Sequence, residues 1–264
     1  SVQRSHVCGA CGYCRTGRET ICPDQIFLGD QGLNGGYADY VLVEEDNLAR
    51  VPDGVDLQSA SIVACTIGTV LNGIRDVGCV RPGETVLVTG SGGGLGAHAV
   101  QVAKLAGARV LAQTTTPAKA DLIRALGIEE VVLTERGTDF SDLVKDLTGG
   151  LGVDVVVDTV GTPVFRSVLR SMAPGARWLL IGQLTGDFVQ FNPAQLFSRG
   201  ISMLSAVSTT RKQLQDCLAL VARGDLKPVI ERLMPLSEAA LAHKAVEAGS
   251  SFGRLVLTPN PGTS

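Results

Sequence analysis

The 264-residue chain has no surplus of either charge: 23 Lys and Arg stand against 26 Asp and Glu, a formal charge of −3. With no excess of cations to neutralise phosphates or anionic lipid, nucleic acids and membrane surfaces are excluded as partners. Long apolar runs are also missing. The longest, around Ala60 to Val70, is interrupted by Ser, Thr and Gly and is too short to span a bilayer, and the first residues lack a signal peptide's hydrophobic stretch. The default address is the cytoplasm. Aromatic residues are scarce at 4% while glycine occurs 32 times, which suits many tight strand-to-helix turns rather than a disordered or fibrous chain. There is no internal repeat and no low-complexity linker. What remains is 45% hydrophobic and 19% charged, enough for one large core or two moderate ones.

From Glu84 onward, short β-branched runs alternate with helical segments. ETVLVTG, ARVLAQT, EVVLT, VDVVVDT, RWLLIG and ISMLS read as strands, and AHAVQVAKLAG, PAKADLIRALG, FSDLVKDLTGG and VFRSVLRSMAPG as the helices between them, mostly ending at Gly. Apolar strands separated by helices predict a doubly wound parallel sheet of about six strands. The flanks differ. Residues 1–67 carry a cysteine cluster, a glycine-rich turn and a strand-like YADYVLV, and residues 208–264 carry two helices and a terminal strand RLVLT. The expected division is therefore 1–67, 68–207 and 208–264, with both ends of the chain forming a second domain.

In VLVTGSGGGLGAHAVQVAK, Gly90, Ser91, Gly92, Gly93, Gly94, Leu95 and Gly96 follow the first strand and precede a helix. Glycines there let the backbone approach a pyrophosphate, and the helix N-terminus offers N–H groups and a positive dipole end. The plain alternative is a turn that only lets helix and sheet pack closely. The second strand ends in QTTTPAK, where an acid would bind ribose hydroxyls and repel a 2′-phosphate. Instead Thr114, Thr115 and Thr116 supply hydroxyls and Lys119 lies one helical step away, which favours NADP(H) over NAD(H). Otherwise the threonines are a helix N-cap and Lys119 a solvated charge.

Cys8, Cys11, Cys14 and Cys22 form C-x2-C-x2-C-x7-C. Four thiolates on short loops suit a closed tetrahedral zinc, which holds a loop and does not catalyse. Disulfides would need an oxidising compartment. A 4Fe–4S cluster is the closer rival, because Cys22 is followed by Pro23, but the seven-residue gap departs from the ferredoxin run.

CGACGYCRTGRETIC, GGYADYVLV, SASIVACTIGTVLNGI, RPGETVLVTGSGGGLG, VDVVVDTVG and SFGRLVL, in this order, resemble the medium-chain dehydrogenase/reductase superfamily of zinc-containing alcohol dehydrogenases and quinone-oxidoreductase-like proteins. The resemblance implies a Rossmann nucleotide domain inserted in a GroES-like catalytic domain, with a structural zinc lobe at 8–22. It also implies a catalytic zinc ligand at Cys65, nicotinamide contacts at Thr159, Val160, Gly161 and Gly182, and a phosphate contact at Arg254. Cys65 among Ile, Val and Ala also reads as a small buried apolar residue. The turn GSGGGLG is similar to the longer turn of quinone-oxidoreductase-like and acryloyl-CoA-reductase-like members, many of which prefer NADPH.

Relatives carry a preceding segment with a His-Glu pair and much of the substrate pocket. Here no His-Glu dipeptide occurs, and the three histidines, His6, His98 and His243, do not replace it. The expectation is a fragment of a longer enzyme, or else a short form without a catalytic metal. Three functions follow: an NADP(H)-dependent alcohol/carbonyl oxidoreductase, a zinc-independent reductase of activated C=C bonds, or an inactive nucleotide-binding chain. A small-molecule substrate and a homodimer or homotetramer complete the expectation, with ISMLSAVS as a candidate dimer edge.

Overall fold

The computed structural model describes residues 1–2, 5–30 and 32–259. It contains two compact units, one of Ser1–Asn72 with Val207–Ser264 and one of Gly73–Ala206.

The first unit opens with a short antiparallel pair, β1 (Ser5–His6) and β2 (Ile26–Phe27), and the four clustered cysteines lie on the loop between them. The strand expected at residues 37–43 is not formed. Tyr40 is 93% and Leu42 87% exposed, and a segment without a hydrogen-bonding neighbour gains no ladder to hold it extended.

The second unit is the doubly wound sheet. β3 (Thr85–Val88), β4 (Arg109–Thr114), β5 (Val131–Leu133), β6 (Val153–Asp158), β7 (Met172–Leu180) and β8 (Ser202–Ser205) lie in the order β5-β4-β3-β6-β7-β8, all parallel. Val86, Leu87, Val88, Val155, Val156, Val157, Trp178 and Leu179 are completely buried, which is why these strands read as unbroken apolar runs rather than alternating ones. Helices Gly96–Leu105, Pro117–Ala125, Ser141–Leu147 and Phe165–Ser171 make the crossovers. The last of these stops earlier than its sequence suggests. Met172, Ala173, Pro174 and Gly175, read as its tail, instead begin β7. The strand order reverses between β3 and β6, and ligands of such sheets bind at the carboxyl ends of the strands beside that reversal.

The chain returns to the first unit through helix Arg211–Ala222, which starts with a capping box between Thr210 and Gln213. It ends with β9 (Ile230–Pro235), helix Ala239–Glu247 and β10 (Arg254–Thr258), the two strands pairing in parallel. One helical run, Leu57–Val77, is by length and composition able to cross a membrane, but 72% of its apolar stretch is buried inside the protein. Asp56 caps it, accepting from Ser59 N–H at 2.7 Å, and two stretches of it, Val63–Gly68 and Asn72–Val77, are π-helical. Such wide turns often occur at functional positions. Cys65 lies in the first of them.

Candidate functional site

The sulfurs of Cys8, Cys11, Cys14 and Cys22 all lie within 4.8 Å of one another. Individual separations are 4.0 Å for Cys8–Cys14, 3.9 Å for Cys11–Cys22 and 3.6 Å for Cys8–Cys22. Four thiolates about 2.3 Å from a tetrahedral zinc would stand about 3.8 Å apart, so the residues fit that ion. The loop is built to hold them. Cys11 N–H points at Cys8 Sγ at 3.4 Å, and Cys14 N–H at Cys11 Sγ at 3.5 Å, as the chain turns into the short helix Gly12–Arg15. The Cys14 N–H holds the Cys11 thiol down to about 7, while burial pushes Cys14 up to about 12. Neighbouring thiols resist ionising together, and a divalent cation removes that conflict.

In the second unit the glycine turn joins β3 to helix Gly96–Leu105. Gly90 has φ +60°, and a Cβ on Gly96 would stand 2.2 Å from the Gly90 carbonyl oxygen, so the turn closes only on glycine. Gln113, buried on β4, holds it from beneath. Its side-chain oxygen accepts Gly90 N–H at 3.1 Å and its backbone carbonyl accepts Ser91 N–H at 2.8 Å. The Ser91 hydroxyl turns inward to Val88 O at 2.8 Å. Leu95 occupies the helix N-cap and makes no side-chain cap hydrogen bond; the N–H groups of Ala97 and His98 are bonded to Gly93 O and Leu95 O, which leaves an anion the positive end of the helix dipole and the N–H groups of the turn before it.

Thr114 is buried at the end of β4, whereas Thr115 and Thr116 are exposed. Thr116 stands at the N-cap of helix Pro117–Ala125 but makes no side-chain cap bond. The stem of Lys119 lies over Gly92, where a Cβ would meet its Cδ at 2.6 Å. The fold therefore brings Lys119 to the turn from 27 positions further along the chain.

At the end of β6, Thr159 is buried and its hydroxyl donates to Thr89 O at 2.8 Å. Gly161 takes φ +81°, and Gly182 approaches so closely that a Cβ there would be 2.6 Å from Thr159 O. The loops after β3, β6 and β7 thus form one packed rim. Two residues central to it, Gln113 and Asp158, escape motif reading. The available signal is a polar side chain at the inner end of a largely apolar strand, because a buried polar group needs a partner.

Cys65 and Arg254 lie in the first unit. Arg254 Nε donates to the Thr66 hydroxyl at 2.9 Å, and its Nη2 stands 4.0 Å from Cys65 Sγ. Cys65 is half-buried, and among the described residues it is not part of a group of three or more metal-donor side chains. The histidines are dispersed. His6 pairs with Glu44 at 2.8 Å, His98 contacts Gly94 O at 2.7 Å and His243 contacts the Tyr37 hydroxyl at 3.0 Å.

Residues 1–53 match the family model described as "Alcohol dehydrogenase GroES-like domain", and residues 94–223 match "Zinc-binding dehydrogenase". An acryloyl-coenzyme A reductase of Sulfurisphaera tokodaii is 33% identical over 259 residues, 95% of this chain and 73% of the relative. The chain belongs to the medium-chain dehydrogenase/reductase superfamily. Its Rossmann sheet and GroES-like flank are those of that superfamily. Among solved structures, AibC aligns with a TM-score of 0.91 and 41% identity, covering 98% of this chain and 72% of the other. An NAD-dependent alcohol dehydrogenase aligns with 0.93 and 35%, covering 98% and 75%. Medium-chain dehydrogenase/reductases act on small molecules, and the relatives include both alcohol dehydrogenases and reductases of an unsaturated thioester.

Proposed function

We propose that this chain is an NADP(H)-dependent reductase of a C=C bond conjugated to a carbonyl, with one structural zinc at Cys8, Cys11, Cys14 and Cys22. The observation that carries the choice of reaction is the Arg254 guanidinium beside Cys65 Sγ, where the alcohol/carbonyl reaction would want a polarising zinc. The longer glycine turn and the acryloyl-coenzyme A reductase among the relatives support the same reading.

Bound NADPH supplies a hydride, which adds to one alkene carbon while the other takes a proton from water. The chain's own part is to hold and orient. The turn from Gly90 to Gly96 receives the pyrophosphate, with Gly92, Gly94, Leu95 and Gly96 offering backbone N–H groups while the N–H groups of Gly90 and Gly93 hold the turn itself; Ser91 shapes the turn from inside, and Lys119 with Thr114 and Thr115 receives the 2′-phosphate. Thr159, Val160, Gly161 and Gly182 line the nicotinamide half. The cofactor choice rests on the missing acid after β4. A relative named as NAD-dependent makes it a quantity to measure.

The second reading is hydride exchange between an alcohol and a carbonyl, with zinc at Cys65. It is favoured by the partial exposure of that thiol on a π-helical turn. A dimer joined through the outer edge of β8, and a cytoplasmic address in keeping with cysteines that form no disulfide among the described residues, belong to the same proposal.

The test is NADPH oxidation by the purified chain with enoyl thioesters, enones, aldehydes and ketones, together with its zinc content. Turnover of conjugated alkenes with one zinc per chain is expected. Two zincs with turnover confined to aldehydes or ketones would establish the second reading instead.

A further inference from the structure

Asp158 ends β6 with no exposed surface, and it receives four hydrogen bonds. Its Oδ1 accepts from the Thr89 hydroxyl at 2.7 Å and from the N–H groups of Val160 and Gly161, each at 3.0 Å. Its Oδ2 accepts from Trp178 Nε1 at 3.1 Å. Four donors and no acceptor suit a carboxylate, which only accepts. A charge this deep is costly unless each lone pair is met, and here the donors come from three neighbouring strand ends.

The bonds join two loops. Thr89 precedes Gly90, and its hydroxyl, while donating to Asp158, accepts Thr159 N–H at 3.1 Å. Thr159 returns a bond to Thr89 O at 2.8 Å. A Cβ on Gly90 would stand 2.8 Å from Val160 Cγ2 and 2.9 Å from Thr159 Oγ1, so the two loops touch where the strand order reverses. A dinucleotide lies across that reversal, its adenosine half over β3, β4 and β5 and its other nucleotide over β6, β7 and β8.

We infer that Asp158 is a positioning residue: through Val160, Gly161 and Thr89 it fixes the loop after β6 for the nicotinamide half of the cofactor. It touches no substrate and acts only through the Thr89 hydroxyl and the Val160 and Gly161 N–H groups. The inference rests on the dinucleotide reading of the glycine turn. In Asp158→Asn, keeping the amide oxygen toward Thr89, Val160 and Gly161 turns the new NH2 group against the Trp178 N–H. The reverse orientation opposes three donors. In either case a donor is left facing a donor.

Calorimetric titration of the chain tests it. NADPH and NADH are titrated into the wild type, and the tighter is compared with its own adenosine half, adenosine 2′,5′-bisphosphate or ADP. Asp158→Asn and Thr89→Val should weaken the dinucleotide about tenfold or more while moving the adenosine half by less than about twofold, and Thr89→Ser should restore wild-type binding. Equal losses for both ligands, or no loss for either, would overturn the inference. If Asp158→Asn does not fold by its denaturation midpoint, the Thr89 pair decides on the same criterion. A wild type that binds neither dinucleotide overturns the reading of the glycine turn itself, and the first titration alone reveals it.

Discussion

The Arg254 guanidinium reaches back 189 residues to stand 4.0 Å from the sulfur of Cys65. Its Nε is at the same time bonded to the Thr66 hydroxyl, so the cation is tied to the helix that carries the thiol. On this geometry Cys65→Ser should leave the zinc content at one per chain and reduce turnover of conjugated alkenes by less than about tenfold, since no metal is removed. Elemental analysis beside the NADPH assay checks both. Loss of one of two zincs would place a metal on Cys65.

The cysteine lobe is predicted to lose its metal on a single substitution. Cys11→Ser or Cys22→Ser leaves three thiolates where the closed site needs four. Zinc should fall from one per chain toward zero, and chelation of the wild type should reproduce the effect. Limited proteolysis should then cut within residues 9–21, whose fold the metal holds, before it cuts the Rossmann sheet.

Gly96→Ala should abolish dinucleotide binding. Its Cβ would lie 2.2 Å from a backbone oxygen that has no rotamer to retreat into. Gly186 has no atom within 4 Å of an added Cβ and an ordinary φ, so Gly186→Ala is the control and should stay within about 0.5 kcal/mol of wild-type stability. Calorimetry for binding and urea titration for stability separate the two effects.

Lys119→Ala removes the cation whose stem lies over Gly92. NADPH affinity should fall about tenfold with NADH affinity nearly unchanged, the difference expected from one charge-assisted phosphate contact. Thr114→Asp should raise NADH preference. An unchanged ratio for both variants would remove the basis for NADP(H).

Arg109 donates to Glu130 from Nε and from Nη2, at 2.8 and 2.5 Å. The Arg109 hydrogen bonds hold the Glu130 carboxyl below the usual carboxylate range. A depressed folded-state pKa gives stability that is present above the unfolded value and lost as pH falls through the folded one. With both side chains partly exposed, Glu130→Gln should cost at most about 1 kcal/mol at pH 7. The gap should close in more acidic solution, where the wild type is protonated too. Denaturant midpoints at pH 7 and on acid titration measure this.

The inner strands of the Rossmann sheet are legible in the sequence, because strands buried on both faces are largely apolar and the connecting helices carry a different period, whereas Met172–Gly175 at the start of β7 read as helix. The segment at 37–43 shows the limit. Its alternation suits a strand, but extended structure depends on a neighbour that local sequence does not specify. Asp158 and Gln113 lie beyond local reading for a related reason: each is a polar residue near the end of a largely apolar run, and its role lies in distant donors.

The individual strands, the cysteine spacing that suits zinc and the glycine turn are written in local sequence, since each rests on residues within a few positions of one another. That Asp158 gathers Thr89 and Trp178, that Lys119 covers Gly92 and that Arg254 stands at Cys65 comes from the fold. These pairings join residues far apart in the chain, and the packing of strands and helices, rather than any local periodicity, brings them within bonding distance.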